Sequence, residues 1–157
     1  VEPTDKVLHE PVDCLDSRHK AEHEGYEYTR GYFVRRGEAR KCVVSVYEIP
    51  PGKSAYPYHY HVKDEETFYI ISGEGTLRTP EGERTVRAGE LLFFPAGEGG
   101  AHKLTNIGEG PLTYIDFDAV NDLDAAVYPD SGKLGVWGMG VNRVFRLEDE
   151  AGYYEGE

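Results

Sequence analysis

Residues 52–73 read G52-KSAYPY-H59-Y-H61-VKDE-E66-TFYIIS-G73, and the parity of the acid and base positions in this stretch decides the fold. His59 and His61 stand two apart in a β-prone run, 56–61, so both imidazoles point to one face of a strand. Glu66 lies five positions beyond His61, an odd offset that places it on the opposite face of any unbroken strand. The charged segment Val62-Lys63-Asp64-Glu65 therefore reads as a turn. A new strand from Glu66 to Ile71 then brings Glu66 back to the interior and leaves Glu65 outside. Phe68 and Ile70 share the face of Glu66.

A second stretch, G89-ELLFF-P95-A-G97-EGGA-H102-KLT-N106, supplies another histidine from a later strand, on one face with Leu104 and Asn106. Around both stretches, glycine and proline cluster as punctuation, in PPG (50–52), SGEG (72–75), TPEG (79–82), NIGEGP (106–111) and PDSGK (129–133). Short runs rich in Val, Ile, Tyr, Phe and Thr lie between them. They predict strands over 29–36, 40–49, 56–61, 66–72, 74–79, 83–87, 91–94, 101–106 and 112–118. Many short strands at such spacing indicate an all-β antiparallel sandwich or closed barrel. Residues 1–28 read as a polar arm or short helix, and 119–157 as an extension containing one plausible strand, VNRVFRL, before an acidic end. One domain over 1–157 is expected, with its core at 29–118.

Composition narrows the function classes. The net charge is −12, from 29 acids against 17 bases, and no Lys/Arg cluster could displace counterions from a nucleic acid or attract an anionic membrane. No window is apolar for long enough to span a bilayer, and VEPTDKVLHEP lacks a charged-then-apolar signal pattern. Two cysteines, Cys14 and Cys42, make no disulfide framework and read as free thiols, from which a cytoplasmic location is expected.

His59, His61, Glu66 and His102 form a mixed imidazole–carboxylate set that suits one divalent transition metal such as Zn, Fe, Mn or Ni. Four protein ligands around a six-coordinate ion leave two positions for water or substrate, as catalytic sites do. The two quoted stretches resemble the paired motifs of the cupins, Gly-x5–6-His-x-His-x3–4-Glu-x6-Gly and Gly-x5-Pro-x-Gly followed by His-x3-Asn. One departure is visible: four residues rather than two separate Gly97 from His102, slack that Gly99 or Gly100 can take up. The resemblance implies a double-stranded β-helix, that is, a jelly-roll cupin barrel, with a metal near one mouth and a homodimeric assembly. It also implies a small-molecule ligand, with oxygenase, isomerase or lyase chemistry on a sugar or a hydroxy or keto acid. Non-catalytic capture of a sugar or other small ligand is the alternative.

Beyond the metal ligands, Phe68, Ile70, Phe93 and Leu104 are candidates for an apolar pocket lining, and Tyr47 and Tyr56 for its rim. In LTYIDFDAV, alternation gives either Ile115 and Phe117 or Tyr114 and Asp116 to the interior. The apolar pair has the stronger claim on a core, whereas an inward Asp116 would be a candidate general base. Asn106 reads as a structural residue that holds a turn with its amide. His19 and His23 lack the glutamate of a protease-type zinc helix and read as a solvated pair.

Overall fold

Alternating β-branched and aromatic residues carry the chain through thirteen strands in the computed structural model, which describes residues 2–157. They are β1 (Asp16–His23), β2 (Tyr26–Val34), β3 (Cys42–Ile49), β4 (Tyr60–His61), β5 (Glu65–Ser72), β6 (Glu74–Thr79) and β7 (Gly82–Arg87). β8 (Leu91–Phe94), β9 (Lys103–Asn106), β10 (Leu112–Ala119), β11 (Leu123–Tyr128), β12 (Lys133–Gly138) and β13 (Val141–Arg146) follow. All ladders are antiparallel, and they form three sheets of order β1-β2-β3-β10-β5-β8, β13-β12-β11-β4 and β7-β6-β9.

The all-β class agrees with the sequence, but the expected jelly-roll barrel is corrected by this pairing: among the described residues no sheet closes on itself. The reason lies in residues 50–59, PPGKSAYPYH. Pro50, Pro51 and Pro57 have no N–H to give to a ladder. Residues 50–59 therefore enter no continuous ladder, and their β-pairing is limited to isolated bridges, Tyr26↔Ser54, Ser54↔Thr105 and His59↔His102. The predicted strand 56–61 shrinks accordingly to the two residues of β4.

The flanks also differ from expectation. Residues 16–28 are not helical but enter β1 and β2, extending the large sheet, and β11–β13 make the C-terminal extension a sheet of its own. Among the described residues, no helix is long and apolar enough to cross a membrane.

The large sheet's inner face fixes the core. Tyr47 and Ile49 on β3, Leu112 and Tyr114 on β10, and Phe68 and Ile70 on β5 are buried together with Leu77, Val86 and Leu104 from the small sheet. Tyr114 pairs with Tyr47 in register, and their rings stack at 5.1 Å with an interplanar angle of 6°. Further along the same strands the face turns polar, through Ser45, Asp116 and Glu66, all buried. That polar end lies toward His59, His61 and His102.

Candidate metal centre

Three imidazoles and one carboxylate converge where the sheets meet. His59 comes from the proline-interrupted segment, His61 from β4, Glu66 from β5 and His102 from the residue before β9. Ligand atoms of His59, His61 and Glu66 lie within 4.8 Å of one another. Glu66 Oε2 is 3.2 Å from His102 Nε2, 3.6 Å from His61 Nε2 and 3.9 Å from His59 Nε2.

The outer nitrogen of each ring fixes the inner one. Nδ1 of His59 donates to Pro57 O at 2.8 Å, Nδ1 of His102 to Gly100 O at 2.9 Å, and Nδ1 of His61 to Asp124 Oδ2 at 2.6 Å. Carbonyl oxygens can only accept, so the Nδ1 atoms of His59 and His102 carry the proton and their Nε2 atoms present lone pairs. Burial, with the charge of His61 adding to it, lowers His59 to about 4 and overrides its bond to Pro57. His102 is held well below the usual histidine value by burial and by His59. Both rings are neutral at neutral pH.

Glu66 Oε2 is buried and makes no hydrogen bond among the described residues. A carboxylate oxygen facing imidazole lone pairs, all out of water, is a strongly unfavourable arrangement unless a cation or proton sits among them. The molecule registers this in its acid–base behaviour. Glu66 is pushed up to about 8, chiefly by burial, against the pull of His61. His61 is raised to about 9, because its bond to Asp124 and the charge of Glu66 outweigh burial. The donor set and the orphaned oxygen therefore fit a divalent ion.

The longer spacing before His102 has a structural use. Residues Glu98–Gly100 form a single 3-10 turn, and Gly97 N bonds to His61 O at 2.7 Å. A Cβ on Gly100 would lie 1.8 Å from Pro95 O, so only glycine allows the turn to fold back there. Its carbonyl then orients His102.

The other predicted residues divide. Phe68 and Leu104 line the small pocket beside His59, Glu66 and His102, together with Tyr56 and Tyr114. Tyr47 sits behind that wall, buried, its hydroxyl 2.9 Å from the Tyr56 hydroxyl. Ile70 lies in the core but does not line the pocket. Phe93 is 60% exposed and faces away. Phe94, directly opposite Glu66 in the β5–β8 register, shares the glutamate's face and stacks on His102 at 3.6 Å. A Phe-Phe pair carries no parity of its own, and only the register with Glu66 reveals which ring turns in.

Asp116 resolves the alternation of β10 against the apolar pair. It pairs with Ser45 and Phe68, both inward, so Tyr114 and Asp116 are buried while Phe117 is 45% exposed. Carboxyl oxygens of Asp116, Asp118 and Glu66 lie within 4.8 Å of one another. Burial, followed by the charges of its neighbours, lifts Asp116 well above the ordinary aspartate value, and burial lifts Asp118 as well.

Sequence reasoning missed Asp124 and Asp64. Besides His61, Asp124 receives the backbone N–H of Lys63 at 2.7 Å and of Asp64 at 3.3 Å. It stays below the usual aspartate range despite burial, through the bonds from His61 and Lys63. Asp64 in turn accepts from Asn121 and from Arg36 at 2.9 Å. The signal was the parity of Leu123-Asp-Ala-Ala-Val-Tyr128, which puts Asp124, Ala126 and Tyr128 on one face. Tyr128 stacks near His59, at 5.8 Å.

Comparison with known proteins places this geometry. A family model described as "Cupin domain" matches residues 45–118. An oxalate-binding protein of Thermotoga maritima is 31% identical over 68 residues, which span 43% of this chain and 54% of that protein. The chain thus matches only about half the length of this curated relative. A sugar phosphate isomerase structure from Silicibacter pomeroyi shares 19% identity, with a TM-score of 0.79 over 92% of this chain and 96% of that one. A polyketide cyclase from Streptomyces resistomycificus aligns with a TM-score of 0.62 and 20% identity, over 74% and 81% of the two chains. The two structural likenesses speak to fold alone. With both motifs in place, residues 45–118, which bear the three histidines and the glutamate, match the cupin domain family.

Proposed function

We propose that this chain is a metal-dependent enzyme acting on an oxygen-rich small molecule, with His59, His61, Glu66 and His102 as the ligands of one divalent ion. The carrying observation is the approach of three Nε2 atoms to the unpartnered oxygen of Glu66. When bound, the ion supplies a Lewis acid that can polarise a chelated substrate oxygen. A redox-active ion would permit oxygenation, and a redox-inert one isomerisation or lyase chemistry. The relative named for oxalate binding fits a substrate with neighbouring oxygens.

The chain's own residues do the rest. Asp124, Pro57 O and Gly100 O hold the three rings in orientation. Phe94 stacked on His102, and Phe68 edge-on to it at 5.7 Å, keep water from that side and strengthen electrostatic interactions within. Burial raises Asp116 and Asp118 behind Glu66 and favours their protonated forms, which suits them to a proton store rather than a base in contact with substrate. The same reading includes a reducing compartment, in line with free Cys14 and Cys42. It also includes a homodimer, for which exposed Leu91 and Phe93 on the β8 edge offer an apolar surface.

One observation favours non-catalytic capture as a second reading: apart from the ligands, the pocket lining near the metal offers only phenols and Lys103 as proton-transfer groups, and burial raises Tyr56 and Tyr114 far above neutral pH. Screening metal-loaded protein for turnover of sugars, sugar phosphates and hydroxy or keto acids, with and without oxygen, separates the two. Turnover lost in His59→Ala supports the enzyme. Saturable binding without turnover supports capture.

A further inference from the structure

The pocket bounded by His59, Glu66 and His102 has a free volume of about 20 Å³, room for one water-sized body and no organic substrate. An open cleft of about 410 Å³ lies against it and shares two wall residues with it, Ala55 and Tyr56. A larger cleft of about 600 Å³, around Arg36, Arg40 and Met139, shares no lining residue with the metal pocket. Of these two clefts, the one beyond Tyr56 adjoins the metal pocket and has room for the bulk of a substrate that reaches the metal.

That cleft gathers ammonium groups on an otherwise acidic molecule. In a chain of net charge −12, Lys20 and Lys133 line it. Lys103, the residue after the ligand His102, reaches its wall and donates to the Tyr26 hydroxyl at 3.3 Å. Of the two acids in the lining, Asp130 is engaged by both terminal nitrogens of Arg78, at 2.6 and 2.9 Å. Glu22 is left as the opposing carboxylate. Lys133 Nζ stands 5.5 Å from the Tyr128 ring, which itself stacks beside His59, so the ammonium lies one side chain away from the metal centre. Tyr28 and Tyr56, joined hydroxyl to hydroxyl at 3.2 Å, add polar edges and flat faces.

We propose that this cleft is an anion subsite, in which Lys20, Lys103 and Lys133 receive a phosphate or carboxylate group of the substrate while its other end reaches the ion past Tyr56. The assignment rests on the metal-centre reading for the second half of that statement only. Local ammonium groups would both bind the anion and steer it toward a surface that otherwise repels it.

The test is titration of zinc-loaded, ¹⁵N-labelled protein with inorganic phosphate and, separately, with succinate, followed by backbone amide shifts. The same titrations are made on Lys20→Gln/Lys133→Gln and on His59→Ala. The subsite predicts saturable shifts at Lys20, Tyr26 and Ser131 in the wild type and in His59→Ala. It predicts binding weakened about tenfold or more in the double lysine variant, whose zinc content is unchanged. A response to phosphate alone assigns a phosphorylated substrate, and an equal response to succinate a carboxylate. Shifts confined to the residues around His59 and His102, or equal affinity in the double lysine variant, would overturn the subsite. Absence of zinc from the wild type, with anion binding intact, would instead sink the metal reading and leave the subsite standing.

Discussion

Asp124 on β11 accepts the Nδ1 proton of His61 on β4 at 2.6 Å, and so reaches the candidate metal centre from outside residues 45–118, which match the cupin domain family. A carboxylate behind a ligating imidazole fixes the ring and raises its basicity. Asp124→Ala is expected to weaken zinc binding by about 10–100-fold, and Asp124→Asn, which keeps an oxygen acceptor, by less. Competition with a chromophoric chelator measures this. Equal affinity in all three proteins would remove Asp124 from the centre.

Metal affinity should rise with pH between about 6 and 9. The free protein holds a proton on Glu66, raised to about 8, and on His61, raised to about 9, and an ion must displace both. Below those values protons compete with the metal. Above them competition ends and affinity levels off. Calorimetry in buffers of different ionisation heat should show release of up to two protons per ion at pH 7, and pH-independent binding with no release would contradict the assignment.

Gly99 and Gly100 make a matched pair. A Cβ at Gly100 meets Pro95 O at 1.8 Å, whereas one at Gly99 has nothing within 4 Å. Gly100→Ala must shift the turn whose carbonyl orients His102, and so should lower both thermal stability and zinc affinity. Gly99→Ala should leave both close to wild type. Similar behaviour of the two variants would show that the turn does not hold His102.

Asn106 is buried and ties three backbone groups together, donating to Ile49 O at 2.8 Å and Gly110 O at 2.9 Å and accepting from Gly108 N at 2.8 Å. Asn106→Ala leaves these groups without a side-chain partner, at a cost of roughly 2–3 kcal/mol. A fall in Tm of roughly 4–10 °C is expected in chelator-treated protein, where metal binding plays no part. A Tm within a degree of wild type would show that the turn is held by other contacts.

The sequence was legible wherever parity had an anchor. Glu66 and the two-residue spacing of His59 and His61 set the inward face of β5 and brought the donor set together on paper. Parity failed where it had no anchor: in the Phe93–Phe94 pair, and in β10, where burial of Asp116 depends on its register with Ser45 and Phe68. The polar sequence of β1, exposed along its whole length, gave no hydrophobic alternation to read. Closure of the sheets could not be judged from strand count. It is decided by which N–H groups exist to pair, and Pro50, Pro51 and Pro57 remove them where a continuous ladder would have to run. Asp124 escaped notice because its partner lies 63 positions away, joined only through the β4–β11 pairing.

The most direct test is elemental analysis of purified protein beside His59→Ala, His102→Ala and Glu66→Gln, each checked for folding by circular dichroism. The wild type should carry close to one divalent transition metal ion per chain, and each variant much less. Folded variants with undiminished metal content would show that the ion is held elsewhere, and the proposed centre would be wrong.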